Sequence, residues 1–327
     1  LAAVTGLSGC AASRPTVDFK VDGFSGDVIS LGDPRYEKWR RSMPWQLHKP
    51  SRYPAIILRP RTQRDIQLAI RFASQNQTHL AVKSGGHHVW GAFLRDGGVL
   101  LDLAEFRAIK LSDDLATARG HPAAWSSAVM QQLMQSNRAF PVAHCATVPM
   151  GGYLLGGGFG INGDTWGPMA CSNVVGARVF TADGELLEID DKNESDLFWS
   201  LRGAGPGFAG VVAAYDLKLF DLPRVLRTSI YGFPIQQASA VVAWSKAVAE
   251  AGAPKMELLV LLGHNPVAPA DAPAAQSKIC IARFAAFGDT EAESTAMLSS
   301  IAHHPVAAQS LFKVENSPST WEQLFIE

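Results

Sequence analysis

Cysteine is scarce in this chain. Four occur in 327 residues, at Cys10, Cys145, Cys171 and Cys280. No two form a C-x-x-C pair, which argues against a structural zinc site, a thioredoxin-like motif or a disulfide-built scaffold. Long apolar runs are also missing, and none approaches the ~20 residues that a membrane-spanning helix needs. There is no block of Lys or Arg and no basic stripe interleaved with aromatics, and the net charge is -1. A nucleic-acid partner is therefore not expected. No G-x-S-x-G elbow is present, which weakens a Ser-His-Asp hydrolase. No internal repeat is visible, so a solenoid or propeller is not indicated.

What is present is a chain long enough for two domains, with ordinary apolar content and three glycine-rich loops. Residues 1–20 are set aside as a leader. Within them Leu7-Ser8-Gly9-Cys10 resembles the end of a bacterial export signal with a lipoprotein cleavage box. That implies an exported protein, secreted or periplasmic, with a lipid anchor at Cys10 as one form. A plain small-residue leader on a cytoplasmic protein fits the same residues.

Gly26-Asp27-Val28-Ile29 reads as loop, and Asp33-Pro34-Arg35-Tyr36 as a turn before a short helix. Ala55–Leu58 is an apolar strand. Thr62 is a helix N-cap, with Ile66, Ala69, Ile70 and Ala73 at helical spacing to Gln75. Leu80–Val82 is the next strand. The unit is β-α-β, and Lys83-Ser84-Gly85-Gly86-His87-His88 lies at the carboxyl end of its second strand, where open α/β sheets often bind ligands. Two glycines open backbone conformations closed to other residues. Their successive N–H groups can form an anion nest, beside which Lys83 adds positive charge. The same residues also fit a tight turn followed by a surface histidine pair.

Further on, Val99–Leu103 is a buried strand and Trp125–Gln135 a helix. Val174–Thr181 and Glu185–Ile189 form a hairpin. Asp196–Leu201 is a short helix and Gly210–Leu219 a strand. After Pro223, Ile230–Phe233, Met256–Leu262 and Ile279–Phe284 read as strands, with helices over Gln236–Ala251 and Glu291–His303. Pro266–Pro273 is a loop.

Gly158–Gly163 and Gly205–Gly210 both satisfy G-x-G-x-x-G, but neither sits between a strand and a helix as a dinucleotide fold requires. They read instead as loops passing close to a large flat ligand. His87 and His88 point to opposite faces of an extended segment and would not share a metal without a kink; no other His/Asp/Glu cluster completes a site, so no metal is expected. Cys145 is either a packed thiol or, given its loop setting, a reactive one.

Three separated motifs occur in a family's order. The first is Lys83–His88 followed by Leu94-Arg95-Asp96-Gly97-Gly98. The second is His144-Cys145-Ala146-Thr147-Val148 leading to Gly151-Gly152 and Gly156-Gly157-Gly158. The third is Asp196-Leu197-Phe198-Trp199 with Arg202-Gly203-Ala204-Gly205. Together they resemble the berberine-bridge-enzyme-like FAD-linked oxidases of the vanillyl-alcohol oxidase/p-cresol methylhydroxylase superfamily.

The resemblance implies an α+β fold: a two-subdomain FAD-binding domain over 21–223, then a truncated α+β substrate domain with an antiparallel sheet over 224–327. It implies FAD held covalently, its pyrophosphate on Ser84–His88. His87 becomes the attachment point at the 8α-methyl, and Cys145 a second one at C6. It extends the cofactor set to Lys83, Ser84, Gly85, Gly86, His88, Thr147, Val148, Gly151, Gly152, Leu155, Gly157, Gly158, Val211 and Val212. Tyr153 stands where some members carry a histidine beside the flavin ring, and is the candidate catalytic residue. The implied activity is an oxidase that takes hydride from a small-molecule alcohol, sugar or amine and passes electrons to molecular oxygen. A dehydrogenase with another acceptor and a truncated non-catalytic member are the alternatives. In this family the chain returns to the FAD domain after the substrate domain, so the sequence reads as a piece of a longer protein that carries the base elsewhere.

Overall fold

Two runs of consecutive apolar residues, Ile56-Ile57-Leu58 and Val99-Leu100-Leu101, organise the first sheet, because strands apolar at every position are stable only when both faces are covered. The structure is a computed structural model that describes residues 18–251, 255–265 and 268–326; the Leu7–Cys10 segment lies outside them. The sheet contains β1 (Asp27–Ser30), β2 (Ile56–Arg59), β3 (Leu80–Lys83) and β4 (Val99–Asp102), in the order β1-β2-β4-β3. β1 is antiparallel to β2, and β2 and β3 both run parallel to β4. Helices α1 (Tyr36–Ser42) and α2 (Gln63–Gln75) cover it. Ile56, Leu58, Val99 and Leu101 pack on Ile66, Ala69, Ile70 and Ala73 of α2. Ile57, Leu100 and Ala81 face the other way, onto Tyr36, Met43, Phe93 and Leu94.

Thr62 caps α2 as expected, in a capping box with Asp65. The Gly26–Ile29 stretch, read as loop from the sequence, is instead largely β1. Only Val28 and Ile29 mark it, and its pairing with β2 decides the matter.

The second sheet is antiparallel: β5 (Ile109–Leu111), β6 (Thr117–Gly120), β8 (Val174–Phe180), β9 (Leu186–Ile189) and β10 (Val211–Lys218), ordered β5-β6-β10-β8-β9. Short strands β7 (Arg138–Ala139) and β11 (Phe220–Asp221) pair beside it. Helices α3 (Ser126–Met134), α4 (Met150–Leu155), α5 (Gly163–Trp166) and α6 (Ser195–Leu201) complete this part. Alternation divides its faces. Phe180, Val211 and Ala213 pack toward the first sheet, while Val179, Val212, Tyr215 and Leu217 pack with α3 and α4.

A third group of strands begins at Val225: β12 (Val225–Pro234), β13 (Met256–His264), β14 (Lys278–Gly288) and β15 (Phe312–Pro318), antiparallel in the order β13-β14-β12-β15. Tyr231, Phe233, Cys280 and Phe284 pack under α7 (Ala238–Glu250) and α9 (Glu291–Ala302), with a single turn, α8 (Ala274–Ser277), before β14. On the opposite face Ala285 and Phe287, with Trp321, join the core of the second sheet. β12 and β14 extend beyond the expected strands. β15 was not expected at all, because Lys313, Glu315 and Asn316 break its apolar pattern.

Candidate cofactor site

β3 and β4 end side by side at Lys83 and Asp102, and the chain turns at Ser84. A carbon side chain at Gly86 would collide with the Met43 carbonyl oxygen, and Gly86 has φ +85°. Both facts demand glycine. Trp45 N–H donates to the Gly86 carbonyl at 3.0 Å, which pins the turn from outside. Among the described residues, the N–H groups of Gly85, Gly86, His87 and His88 donate to no protein acceptor. Four successive free donors form the anion nest.

The nest opens into a cavity of about 880 Å³, bounded by β3, Ser84–His88, the start of α4 and the loop at Gly205–Val212. A cavity near the upper end of the usual 300–1,000 Å³ range suits a large cofactor. Apart from the adjoining backbone and chain neighbours, no described atom lies within 4 Å of where a side chain at Gly152 or Gly205 would begin, so bare backbone faces open space there. Val148, Gly151, Gly152, Leu155, Val211 and Val212 all line it. Gly151 packs against Ser84 and the Pro122 carbonyl, and its own carbonyl accepts from the buried Tyr215 hydroxyl at 3.1 Å.

His87 is half-buried. Its Nε2 lies 3.1 Å from Thr147 Oγ1, and its ring stacks on Trp45 with centroids 5.1 Å apart. Burial holds its pKa below the ordinary imidazole value, partly offset by the Thr147 backbone. The same Thr147 oxygen lies 3.8 Å from Cys145 Sγ. One hydroxyl thus brings the two expected attachment residues, 58 positions apart, to a common point. His87 lines the cavity, whereas Cys145 and Thr147 do not.

Several expectations need correction. Lys83 does not turn a free charge on the nest. Its ammonium is buried and pairs with Asp102 at 2.9 Å, and the Asp102 carboxylate also holds Arg59 at 2.8 Å. A lysine this buried requires such a partner. His88 lines the cavity, but its Nδ1 accepts from the N–H groups of Trp90 and Ala92 at 3.1 and 3.4 Å, so the ring shapes the following loop. Gly157 and Gly158 lie off the cavity, where side chains would strike Met169 and the Tyr153 ring. The first G-x-G-x-x-G stretch likewise lies off the cavity, whereas Gly205–Gly210 does pass along it. The Tyr153 hydroxyl donates to the Pro141 carbonyl at 2.7 Å, and burial, with lesser contributions from Cys171 and Glu257, pushes its pKa far above the usual phenol value. Its ring is a wall of the cavity and its oxygen is not poised as a base. Trp45 escaped notice because nothing in the sequence links it to a histidine 42 positions later.

Residues 54–190 match the family model described as the FAD binding domain. The FAD-linked oxidoreductase ptmO of Penicillium ochrochloron is 33% identical over 220 residues, covering 67% of this chain and 48% of that protein. The chain spans about half the length of the curated relatives it matches. Among solved structures, 6-hydroxy-D-nicotine oxidase from Arthrobacter nicotinovorans aligns with TM-score 0.77 at 21% identity, over 93% of this chain and 64% of that one. Glucooligosaccharide oxidase from Acremonium strictum, described as showing a novel flavinylation, aligns with TM-score 0.75 at 21% identity, over 91% and 59%. These likenesses show the fold. The nest, its free donors and the glycine-floored cavity fit FAD. Residues 54–190 therefore carry an FAD binding domain, and the chain's sequence relatives include FAD-linked oxidoreductases.

Proposed function

We propose that the protein is an FAD-dependent oxidase of a small alcohol, sugar or amine, with flavin attached through both His87 and Cys145. The observation that carries this reading is the convergence of His87 and Cys145 on Thr147, directly beside four free N–H donors. When bound, FAD supplies hydride acceptance and reoxidation by molecular oxygen. The chain's own part is to hold and orient it. The nest takes the pyrophosphate, with FAD domain residues 21–223 as its frame. Gly152 and Gly205 allow close approach, Leu155, Val211 and Val212 exclude water, and His87 and Cys145 fix the ring. Residues 224–327 supply the substrate-side sheet.

The test is an absorption spectrum of the purified full-length protein, followed by anaerobic addition of sugars, alcohols and cyclic amines and then readmission of oxygen. A flavin spectrum that bleaches with one substrate class and returns with oxygen is the expected result. Return only with an artificial acceptor identifies a dehydrogenase, and no bleaching with any class identifies a non-catalytic copy. Export is part of the proposal, from the Leu7–Cys10 pattern; protein found wholly in the cytosol with Leu1–Ser13 attached would overturn it.

A further inference from the structure

A cluster of ionisable side chains centred on Glu257 is buried where the substrate-side sheet meets the FAD domain. Glu257, on β13, turns its carboxylate away from α7 toward the FAD domain. Oε2 accepts from the Asn162 N–H at 2.8 Å. Oε1 lies 3.1 Å from His144 Nε2, a close contact that is not a hydrogen bond, and 3.7 Å from Arg283 Nη2. Glu257 and Arg283 are 9% and 8% exposed, so these contacts are shielded from solvent. Arg283 Nη1 in turn donates to the Gln323 carbonyl at 3.4 Å.

The two FAD-domain segments gripped in this way are themselves paired. Ala143 bridges Gly160, and Ile161 N–H donates to the Val142 carbonyl at 2.9 Å. Glu257 therefore closes a clamp over both from a different sheet. His144 reaches toward Glu257, while the sulfur of the next residue, Cys145, points toward Thr147. The contact at His144 anchors the backbone segment from which the Cys145 side chain projects.

We infer that Glu257 is a positioning residue that, through His144 and Asn162, aims the Cys145 sulfur at the flavin ring. This rests on the reading of Cys145 as a second attachment point. In that step the Cys145 sulfur forms a bond to the ring carbon. The thiol and the ring C–H each give up a proton, and two electrons and both protons pass to molecular oxygen, which becomes hydrogen peroxide. The sulfur must meet the carbon closely, and an ångström of misplacement can cost up to about 10²-fold in rate.

The test compares full-length flavoprotein carrying Glu257→Gln or His144→Ala with the unaltered protein, by peptide mass mapping. Glutamine keeps one of the two acceptors, and His144→Ala leaves Glu257 with Arg283 and Asn162, so the pair spares the fold differently. Flavin on the Cys145 peptide is expected to fall about tenfold or more in both variants, while flavin on the His87 peptide is unchanged. An unchanged Cys145 fraction, or an equal fall at both peptides, overturns the inference. If the unaltered protein carries no flavin at Cys145, the attachment reading itself has failed. The free thiol then reports position directly: alkylation by iodoacetamide several-fold faster in both variants supports the clamp, and equal rates overturn it.

Discussion

At the scale of single residues, Gly86 sets the sharpest constraint. Its positive φ and the Met43 carbonyl leave no room for a side chain, and a branched residue would also cap the nest. Gly86→Val is expected to give folded protein with less than about a tenth of the normal flavin content; full content, read from absorbance ratios, would show that the turn is merely structural. The two consecutive glycines were legible in the sequence. The pairing of Lys83 with Asp102 was not, because an aspartate nineteen positions later becomes its neighbour only through the parallel register of β3 and β4.

Two half-buried histidines add a pH dependence. Burial lowers the pKa of His87, and burial together with the Arg178 charge lowers that of His121, from 6.5. For a group whose folded pKa is depressed, the unfolded chain binds more protons between the two values. Stability is therefore complete above 6.5 and is lost as pH falls through the lowered values. The melting temperature is expected to be level from about pH 8 to 6.5, to decline below that, and to decline less in His121→Gln. A melting temperature that rises on acidification through this window contradicts the account.

At the scale of elements, the β2–α2–β3 unit was readable because continuous apolar strands flank an amphipathic helix with a capping residue. The capping signal understated Asp65. It is fully buried and accepts from the N–H groups of Ser25, Arg61 and Thr62 at 2.7, 3.0 and 2.9 Å, tying the chain before β1 to the start of α2. Asp65→Ala is expected to cost about 2–3 kcal/mol in denaturant unfolding, against about 1 kcal/mol for Thr62→Ala. Equal costs would mean that the Ser25 contact contributes nothing. β1 and β15 were illegible for the opposite reason. Each is short or polar, and owes its conformation to the partner strand rather than to its own pattern.

At the scale of the whole molecule, the three glycine loops were recognisable as separate motifs, and the fold explains their order. The first lies at the end of β3, the second builds α4 beneath it, and the third closes the far side of the cavity before β10. The charged clamp at Glu257 could not be anticipated, since its members lie in distant segments and their own surroundings in the sequence carry no motif.

The proposed attachment of flavin through both His87 and Cys145 is tested most directly by denaturing electrophoresis with flavin fluorescence and peptide mass mapping of the full-length protein and its His87→Ala, Cys145→Ala and double variants. The account predicts flavin mass on both peptides, retention in each single variant, and release only in the double variant. Flavin freed entirely by His87→Ala would contradict an independent bond at Cys145, and no flavin mass on either peptide would contradict covalent attachment altogether.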